Sequence, residues 1–117
     1  MTWKLWLDDQ LDDPDAPARH TPAGYTGAKS SEEARELVIK HGIPQIMNLD
    51  HDLGDDDDAM KFLHWLALEF ATEGPVPDFL VHSANPIGSQ NISSFMRSWA
   101  RSTRFIPSPK DLPPSGI

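Results

Sequence analysis

The sequence contains no cysteine. Disulfides, thiolate metal centres and thiol nucleophiles are therefore excluded. Positive charge is also scarce, since 10 lysines and arginines stand against 18 acidic residues and the net charge is −8. This balance argues against binding of an extended nucleic-acid duplex, which requires a basic face. A phosphate-containing small molecule or an RNA end remains compatible, because a metal ion can screen carboxylates from a phosphate.

Long apolar runs are absent as well, so no segment of the sequence predicts a membrane span. The N-terminal segment turns acidic after seven residues and does not resemble a signal peptide. We therefore expect a soluble, cytoplasmic protein. Its 117 residues suit one domain. The chain ends in a proline-rich segment without periodicity, so we predict a domain at residues 1–106 and an extended tail at residues 107–117.

Strand and helix patterns alternate along the chain. The predicted strands are 3–7, 25–28, 43–50, 77–83 and 103–107, and the predicted helices are 30–42, 57–74 and 87–102. The segment between the first two strands holds three prolines and no helical period, so a loop replaces the expected first helix. The pattern predicts an α/β fold with an open, mostly parallel five-stranded sheet flanked by helices.

Polar side chains follow three of these strands. They are Asp8 and Asp9, then Asp50, His51 and Asp52, then His82, Ser83 and Asn85. In open parallel sheets the ligand crevice lies beyond the carboxyl ends of the strands. If the strands are neighbours, these side chains meet at one rim of the sheet.

The aspartates of this rim are candidates for a metal site. Asp8, Asp9 and Asp50 would offer clustered carboxylate oxygens, which suit Mg²⁺ or Mn²⁺. The alternative is that each aspartate only caps the turn that follows its strand. The run Asp55 to Asp58 is interpreted differently, as a solvated segment that leads into the next helix.

The remaining rim residues suggest phosphoryl chemistry. His51 and His82 could act as general base and general acid, could bind a transition metal, or could only close turns. Ser83 could donate to a phosphate oxygen or act as nucleophile, and the donor role is favoured because no nucleophile-elbow motif surrounds it. Asn85 and Pro86 predict a helix start with free backbone N–H groups for an anion, and Gly88 would permit close approach.

The motifs "LWLDD", "LDHDLGDD" and "VHSANPIGSQNI", in this order, resemble the cyclic-phosphate-processing receiver-like family, a divergent branch of the response-regulator receiver fold. The resemblance covers nearly all of residues 3–106 and implies a divergent receiver fold, which is flavodoxin-like. It implies that Asp8 and Asp9 form the acidic metal-binding pair and that Asp50 stands at the phospho-accepting position. Ser83 falls at the hydroxyl position of the fourth strand.

The same resemblance extends to the residues that typical receivers lack. His51, Asp52, His82 and Asn85 fit the divergent family, and the shared motif adds Gly88 and Asn91 to Asp52 and Asn85 as candidate substrate-binding residues. The lysine that receivers carry before a proline after the last strand is missing from "RFIPSP".

The resemblance implies a metal-dependent phosphoesterase that processes RNA 2′,3′-cyclic ends or cyclic nucleotides. The family occurs in bacteria and bacteriophages, so a phage origin and a role in RNA repair or anti-defence are expectations. Two alternatives stay open. A small acidic protein could instead bind and inhibit a host protein or sequester a nucleotide signal. A phospho-accepting signalling receiver is disfavoured by the missing lysine.

Overall fold

Four parallel strands form the sheet in the computed structural model, which describes residues 2–54, 56–70 and 76–105. The strands are β1 (Lys4–Leu7), β2 (Thr26–Ala28), β3 (Ile46–Leu49) and β4 (Asp78–Val81). Their order across the sheet is β2-β1-β3-β4. The predicted α/β fold with a parallel sheet is confirmed.

Three α-helices flank the sheet: α1 (Ser31–His41), α2 (Ala59–Trp65) and α3 (Pro86–Phe105). A π-helical turn, Leu66–Phe70, extends α2. Helix α1 begins and ends within one residue of the predicted bounds, because the Ser30 hydroxyl accepts from the Glu33 N–H at 3.1 Å and Gly42 stands at the C-cap. Between β1 and β2 the chain forms turns and a short 3₁₀ helix, Pro17–Arg19, so a loop does replace the first helix.

The strand order places a topological switch point between β1 and β3. The chain runs from β1 outward to β2 and then crosses back to β3 on the other side. At such a point the flanking connections diverge from the sheet and leave a crevice at the carboxyl ends of the strands. The fold therefore directs a ligand to the residues that follow β1 and β3.

The hydrophobic core lies on one face of the two central strands, since Leu5, Leu7, Met47 and Leu49 share that face in the strand register. Leucines of β1 and β3 are fully buried, and helices α2 and α3 cover them with Phe62, Leu63, Ile92 and Met96. Such packing fixes the backbone of β1 and β3, so the residues at their carboxyl ends start from rigid positions.

The predicted fifth strand, 103–107, was wrong for the three of its residues that the structure describes. Residues 103–105 are the last turn of α3, and residues 106 and 107 lie outside the described part of the chain. The helix continues because no glycine or proline occurs between Ser89 and Ile106, while Ile92, Met96 and Trp99 keep one face on the core. The predicted tail, 107–117, also lies outside the described residues.

The predicted second helix needs a smaller correction at its start. It begins at Ala59 rather than at residue 57, because the Asp58 carboxylate caps it by accepting from the Lys61 N–H at 3.1 Å. Residues 71–74 of that prediction lie outside the described residues. None of the described helices is long and apolar enough to cross a membrane.

Candidate functional site

The carboxyl ends of β1, β3 and β4 meet at one rim, as predicted. The backbone N–H of Asp50 donates to Leu7 at 2.9 Å, and that of His82 donates to Leu49 at 3.0 Å. Asp8 extends the ladder on the other side by donating to Ala28 at 3.0 Å. Each residue thus stays tied to the neighbouring strand, which fixes where its side chain leaves the sheet.

Three carboxylates converge at this rim. One oxygen from each of Asp8, Asp9 and Asp50 lies within 4.8 Å of the others. Asp8 is fully buried, Asp50 is 3% exposed and Asp9 is half-buried. This acidic cluster is the candidate metal site that the sequence predicted.

The carboxylate of Asp8 is already saturated with hydrogen bonds. One oxygen accepts from the Gln10 N–H at 2.8 Å and from Arg19 Nη2 at 3.0 Å. The other lies 2.7 Å from Arg19 Nε and 2.9 Å from His82 Nε2. Asp8 therefore acts as an organiser of two neighbouring side chains, and Asp9 and Asp50 have more oxygen capacity left for an ion.

Arg19 is the residue of the site that sequence reasoning missed. Its guanidinium forms a fork on Asp8 and also donates from Nη2 to Asp50. The loop that carries it is attached to β1, because Trp6 Nε1 donates to the Arg19 carbonyl at 2.9 Å. A signal existed: Arg19 is the only lysine or arginine between Lys4 and Lys29, in a loop rich in aspartate.

His82 lies behind the acidic cluster. Its ring stacks on Trp6 with centroids 4.0 Å apart and an interplanar angle of 4°. Nε2 faces Asp8, and Nδ1 lies 2.6 Å from the side-chain oxygen of Asn48. Burial lowers the pKa of His82 and so favours the neutral ring, although the hydrogen bond and the negative charge of Asp8 oppose this shift. Both ring nitrogens thus face acceptor oxygens, so a proton on either nitrogen is donated to Asp8 or to Asn48.

Negative charge at the cluster is only partly compensated. Burial raises the pKa of Asp50 to about 6, although Arg19 opposes this shift. Burial, followed by repulsion from Asp8, also raises the pKa of Asp9. A divalent cation between Asp9 and Asp50 would favour both ionised forms, and oxygen donors are the ligands that Mg²⁺ prefers. The donor set therefore fits such an ion.

An open cleft of about 290 Å³ lies over the cluster. It is lined by Asp9, Gln10, Arg19, Asp50, Asp52, Gly54, Ser83 and Ala84. Neither histidine of the predicted site is among these residues. The Ser83 hydroxyl beside Asp50 opposes the rise of the Asp50 pKa, and Asp52 lines the same cleft with a side chain that is 68% exposed.

His51 lies next to Asp52 and against α3. Its Nδ1 is 3.1 Å from Asp52 Oδ1, and its side chain is 13% exposed. Gly88 makes this packing feasible, because a Cβ at that position would lie 2.4 Å from His51 Cγ. Gly88 thus permits a close approach of His51, and its predicted contact with an anion stays a prediction.

The start of α3 is capped by its own residues. The Asn85 side chain accepts from the Gly88 N–H at 3.0 Å, and the Asn85 N–H donates to Ser83 Oγ at 3.1 Å. Asn85 also donates to Asp52 at 3.4 Å, which links two of the predicted substrate-binding residues. Among the backbone N–H groups at this helix start, which were predicted to be free for an anion, that of Gly88 is used by this cap. Asn91 is exposed on α3 and takes part in none of these bonds.

The aspartate run beyond the rim serves local structure. Asp57 accepts from the backbone N–H of Ser31 at 2.8 Å and thereby holds the start of α1, while Asp58 caps α2. Asp55 lies outside the described residues. These contacts agree with a helix lead-in role for the run.

A family model described as the cyclic-phosphate processing receiver domain matches residues 3–98. The chain belongs to this family. The match covers β1 to β4 and most of α3, and with them the whole acidic cluster and cleft. Searches of curated proteins and of solved structures gave no significant match. The strand order β2-β1-β3-β4 and the cleft at its switch point agree with membership of a receiver-like family.

Proposed function

We propose that this receiver-like domain is a metal-dependent phosphoesterase that hydrolyses cyclic phosphates, either RNA 2′,3′-cyclic ends or cyclic nucleotides. The observation that carries the proposal is the cleft itself. It combines the carboxylates of Asp9 and Asp50 with a cation, Arg19, and a hydroxyl, Ser83. Phosphoryl transfer depends on this combination of positioning and charge stabilisation.

Asp9 and Asp50 would hold Mg²⁺ or Mn²⁺, with Asp8 in contact with their neighbours rather than with the ion. When bound, the ion would neutralise a non-bridging phosphate oxygen and polarise the phosphorus. Ser83 would donate to another oxygen of the same phosphate from the cleft wall. The acidic cleft would otherwise repel an anion, so the proposal requires the ion.

Hydrolysis of a cyclic phosphate adds water to phosphorus and breaks one of the two ester bonds of the ring. The attacking water must lose a proton, and the released ribose oxygen must gain one. We assign the first transfer to Asp52, which lines the cleft, with His51 as the residue that positions its carboxylate. The released oxygen takes its proton from solvent in the open cleft.

His82 receives a different role from the one that its sequence position suggested. Both ring nitrogens face protein groups, and the ring does not line the cleft. Its stacking on Trp6 and its bond to Asp8 suit a positioning residue that keeps Asp8 and, through it, Arg19 in place.

The test is incubation of the purified protein with 2′,3′-cyclic nucleotides, 2′,3′-cyclic RNA ends and cyclic oligonucleotides, in Mg²⁺, in Mn²⁺ and in EDTA. The products are followed by ³¹P NMR, which separates a ring phosphate from a monoester. We expect turnover that requires the metal and is lost in Asp50→Ala.

A matched control is Asp78→Asn, at the exposed start of β4 and at the opposite end of the sheet. It removes one carboxylate from the chain without touching the cleft, so its rate should equal that of the wild type. Absence of turnover of every cyclic phosphate by the wild type, or equal turnover by Asp50→Ala, would reject the proposal.

A further inference from the structure

We infer that Arg19 is the phosphate-binding cation of the cleft: it is a binding residue supplied by the loop that replaces the first helix. The inference deepens the proposed function and rests on it for the identity of the substrate. It assigns to Arg19 a contact with a non-bridging oxygen of the substrate phosphate, beside the metal rather than in competition with it.

The guanidinium is fixed along one edge only. Nε and Nη2 are held by the two oxygens of Asp8, at 2.7 and 3.0 Å, and Nη2 is shared with Asp50. A guanidinium stays protonated at all working pH values, so the positive charge of Arg19 is permanent. A side chain held in this way loses little conformational freedom when it binds a ligand.

The remaining edge of the guanidinium is open. Within the described part of the chain Nη1 makes no hydrogen bond, and no buried side-chain nitrogen or oxygen in that part lacks a partner. Nη1 is therefore accessible to solvent, in agreement with the 28% exposure of the side chain. Because Arg19 lines the cleft over the acidic cluster, its free N–H groups are available to a ligand there.

The open edge of the Arg19 guanidinium matters because the cleft is otherwise lined by negative charge. Asp9, Asp50 and Asp52 line the same space, and Arg19 is the only lysine or arginine among the lining residues. A divalent ion would bring the sum of these charges close to zero, but it would sit among the carboxylates. Arg19 would then be the cation that reaches a phosphate oxygen directly, and its planar N–H groups suit phosphate oxygens.

The anchoring of the loop explains how such a residue keeps its position without a regular element. Trp6, on β1, donates from its indole to the Arg19 carbonyl, and its ring stacks on His82, which in turn contacts Asp8. The backbone and the guanidinium of Arg19 are therefore both held by residues at the end of β1, namely Trp6 and Asp8. This is the support that a precise binding residue needs.

The experiment measures two ligands separately in Arg19→Gln. Binding of inorganic phosphate is titrated calorimetrically in saturating Mg²⁺, and binding of Mn²⁺ alone is followed by electron paramagnetic resonance. Loss of one charge-assisted hydrogen bond should weaken phosphate binding by roughly ten- to a hundredfold. Mn²⁺ binding should be equal or tighter, because a positive neighbour of Asp50 has gone.

Arg35→Gln is the control of equal charge change. Arg35 lies on α1, with its guanidinium 5.1 Å from the ring centre of Trp65, away from the cleft residues. Phosphate affinity should be unchanged in this variant. If Arg19→Gln does not fold, Arg19→Lys decides, since it keeps the charge but loses the planar fork; weaker phosphate binding with normal Mn²⁺ binding supports the inference.

Three results would overturn the inference. The first is phosphate binding in Arg19→Gln or Arg19→Lys that equals that of the wild type, and the second is no phosphate binding by the wild type. The third is a parallel loss of Mn²⁺ binding in the Arg19 variants, which would indicate that Arg19 only positions the carboxylates. Phosphate binding that depends on Arg19, without turnover of any cyclic phosphate, would leave the inference standing and reject the proposed function. Normal turnover with normal phosphate binding in the Arg19 variants would reject the inference and leave the proposed function standing.

Discussion

Replacement of the buried Asp50 by its neutral isostere should stabilise the metal-free protein. Asp50 is 3% exposed, and its burial raises its pKa from 3.8 to about 6 even with Arg19 in contact. The ionised carboxylate therefore costs the folded state free energy at neutral pH. Asp50→Asn keeps the shape and an acceptor for Arg19 but removes that cost.

The magnitude follows from the pKa shift. A rise from 3.8 to about 6 corresponds, at 1.36 kcal/mol per unit, to about 3 kcal/mol as an upper bound. An unfolding entropy of about 2.1 cal/mol/K per residue gives the 117-residue chain about 0.25 kcal/mol/K. Stabilisation by roughly 1–3 kcal/mol would then raise the Tm by about 4–12 °C.

The pH dependence has a definite sign. Between pH 3.8 and about 6 the folded state holds more protons at Asp50 than the unfolded state does, so this residue's contribution to stability falls as the pH rises through that window. The lowered pKa of His82 acts in the opposite direction, because there the unfolded state binds the proton more readily. The difference between the Tm of Asp50→Asn and that of the wild type isolates the contribution of Asp50, because His82 is common to both proteins.

The assay is thermal unfolding of the wild type, Asp50→Asn and Asp78→Asn in EDTA from pH 4 to pH 8. The gain in Tm of Asp50→Asn should grow from pH 4 to pH 7 and then level off, while Asp78→Asn follows the wild type. Mg²⁺ should raise the Tm of the wild type but not that of Asp50→Asn. A folded Asp50→Asn that melts below the wild type at pH 7 in EDTA would refute the reasoning.

Two further substitutions probe the neighbours of this residue. Asp8→Asn should destabilise the protein by about 2 kcal/mol, the opposite sign to Asp50→Asn, because an amide cannot accept all four hydrogen bonds that Asp8 receives. Urea unfolding measures this, and equal signs for the two variants would contradict the organiser role of Asp8. Gly88→Ala should cost roughly 1–3 kcal/mol, because the new methyl group would meet His51. His51→Ala in the same chain should recover much of that loss, and Ser94→Ala, at an exposed position of α3, should change little. Unchanged stability of Gly88→Ala would show that the backbone moves aside.

Much of the fold could be predicted from the sequence because its signals are local. Alternating apolar segments and helix caps such as Ser30 and Gly42 act within a few residues of themselves. The predicted fifth strand failed for a related reason. A short segment such as 103–107 carries little periodicity, and α3, which has one face on the core, continues to Phe105.

The candidate site, too, has a part that could be predicted from the sequence and a part that could not. Asp8, Asp50 and His82 were predicted to converge because parallel strands share a carboxyl edge, and the backbone ladder places them there. The role of His82 could not be predicted, since it depends on Asn48 and Trp6, which belong to two other strands.

The sequence by itself determined the parallel α/β architecture, the rim at which its polar residues meet, and the helix-capping role of the aspartate run. Only the tertiary structure decided which of those residues face the cleft and which cation joins them. Arg19 lies 31 residues from Asp50, on a proline-containing loop without periodicity. The path of such a loop depends on tertiary contacts, here the indole of Trp6 and the carboxylate of Asp8, as well as on its own short turns.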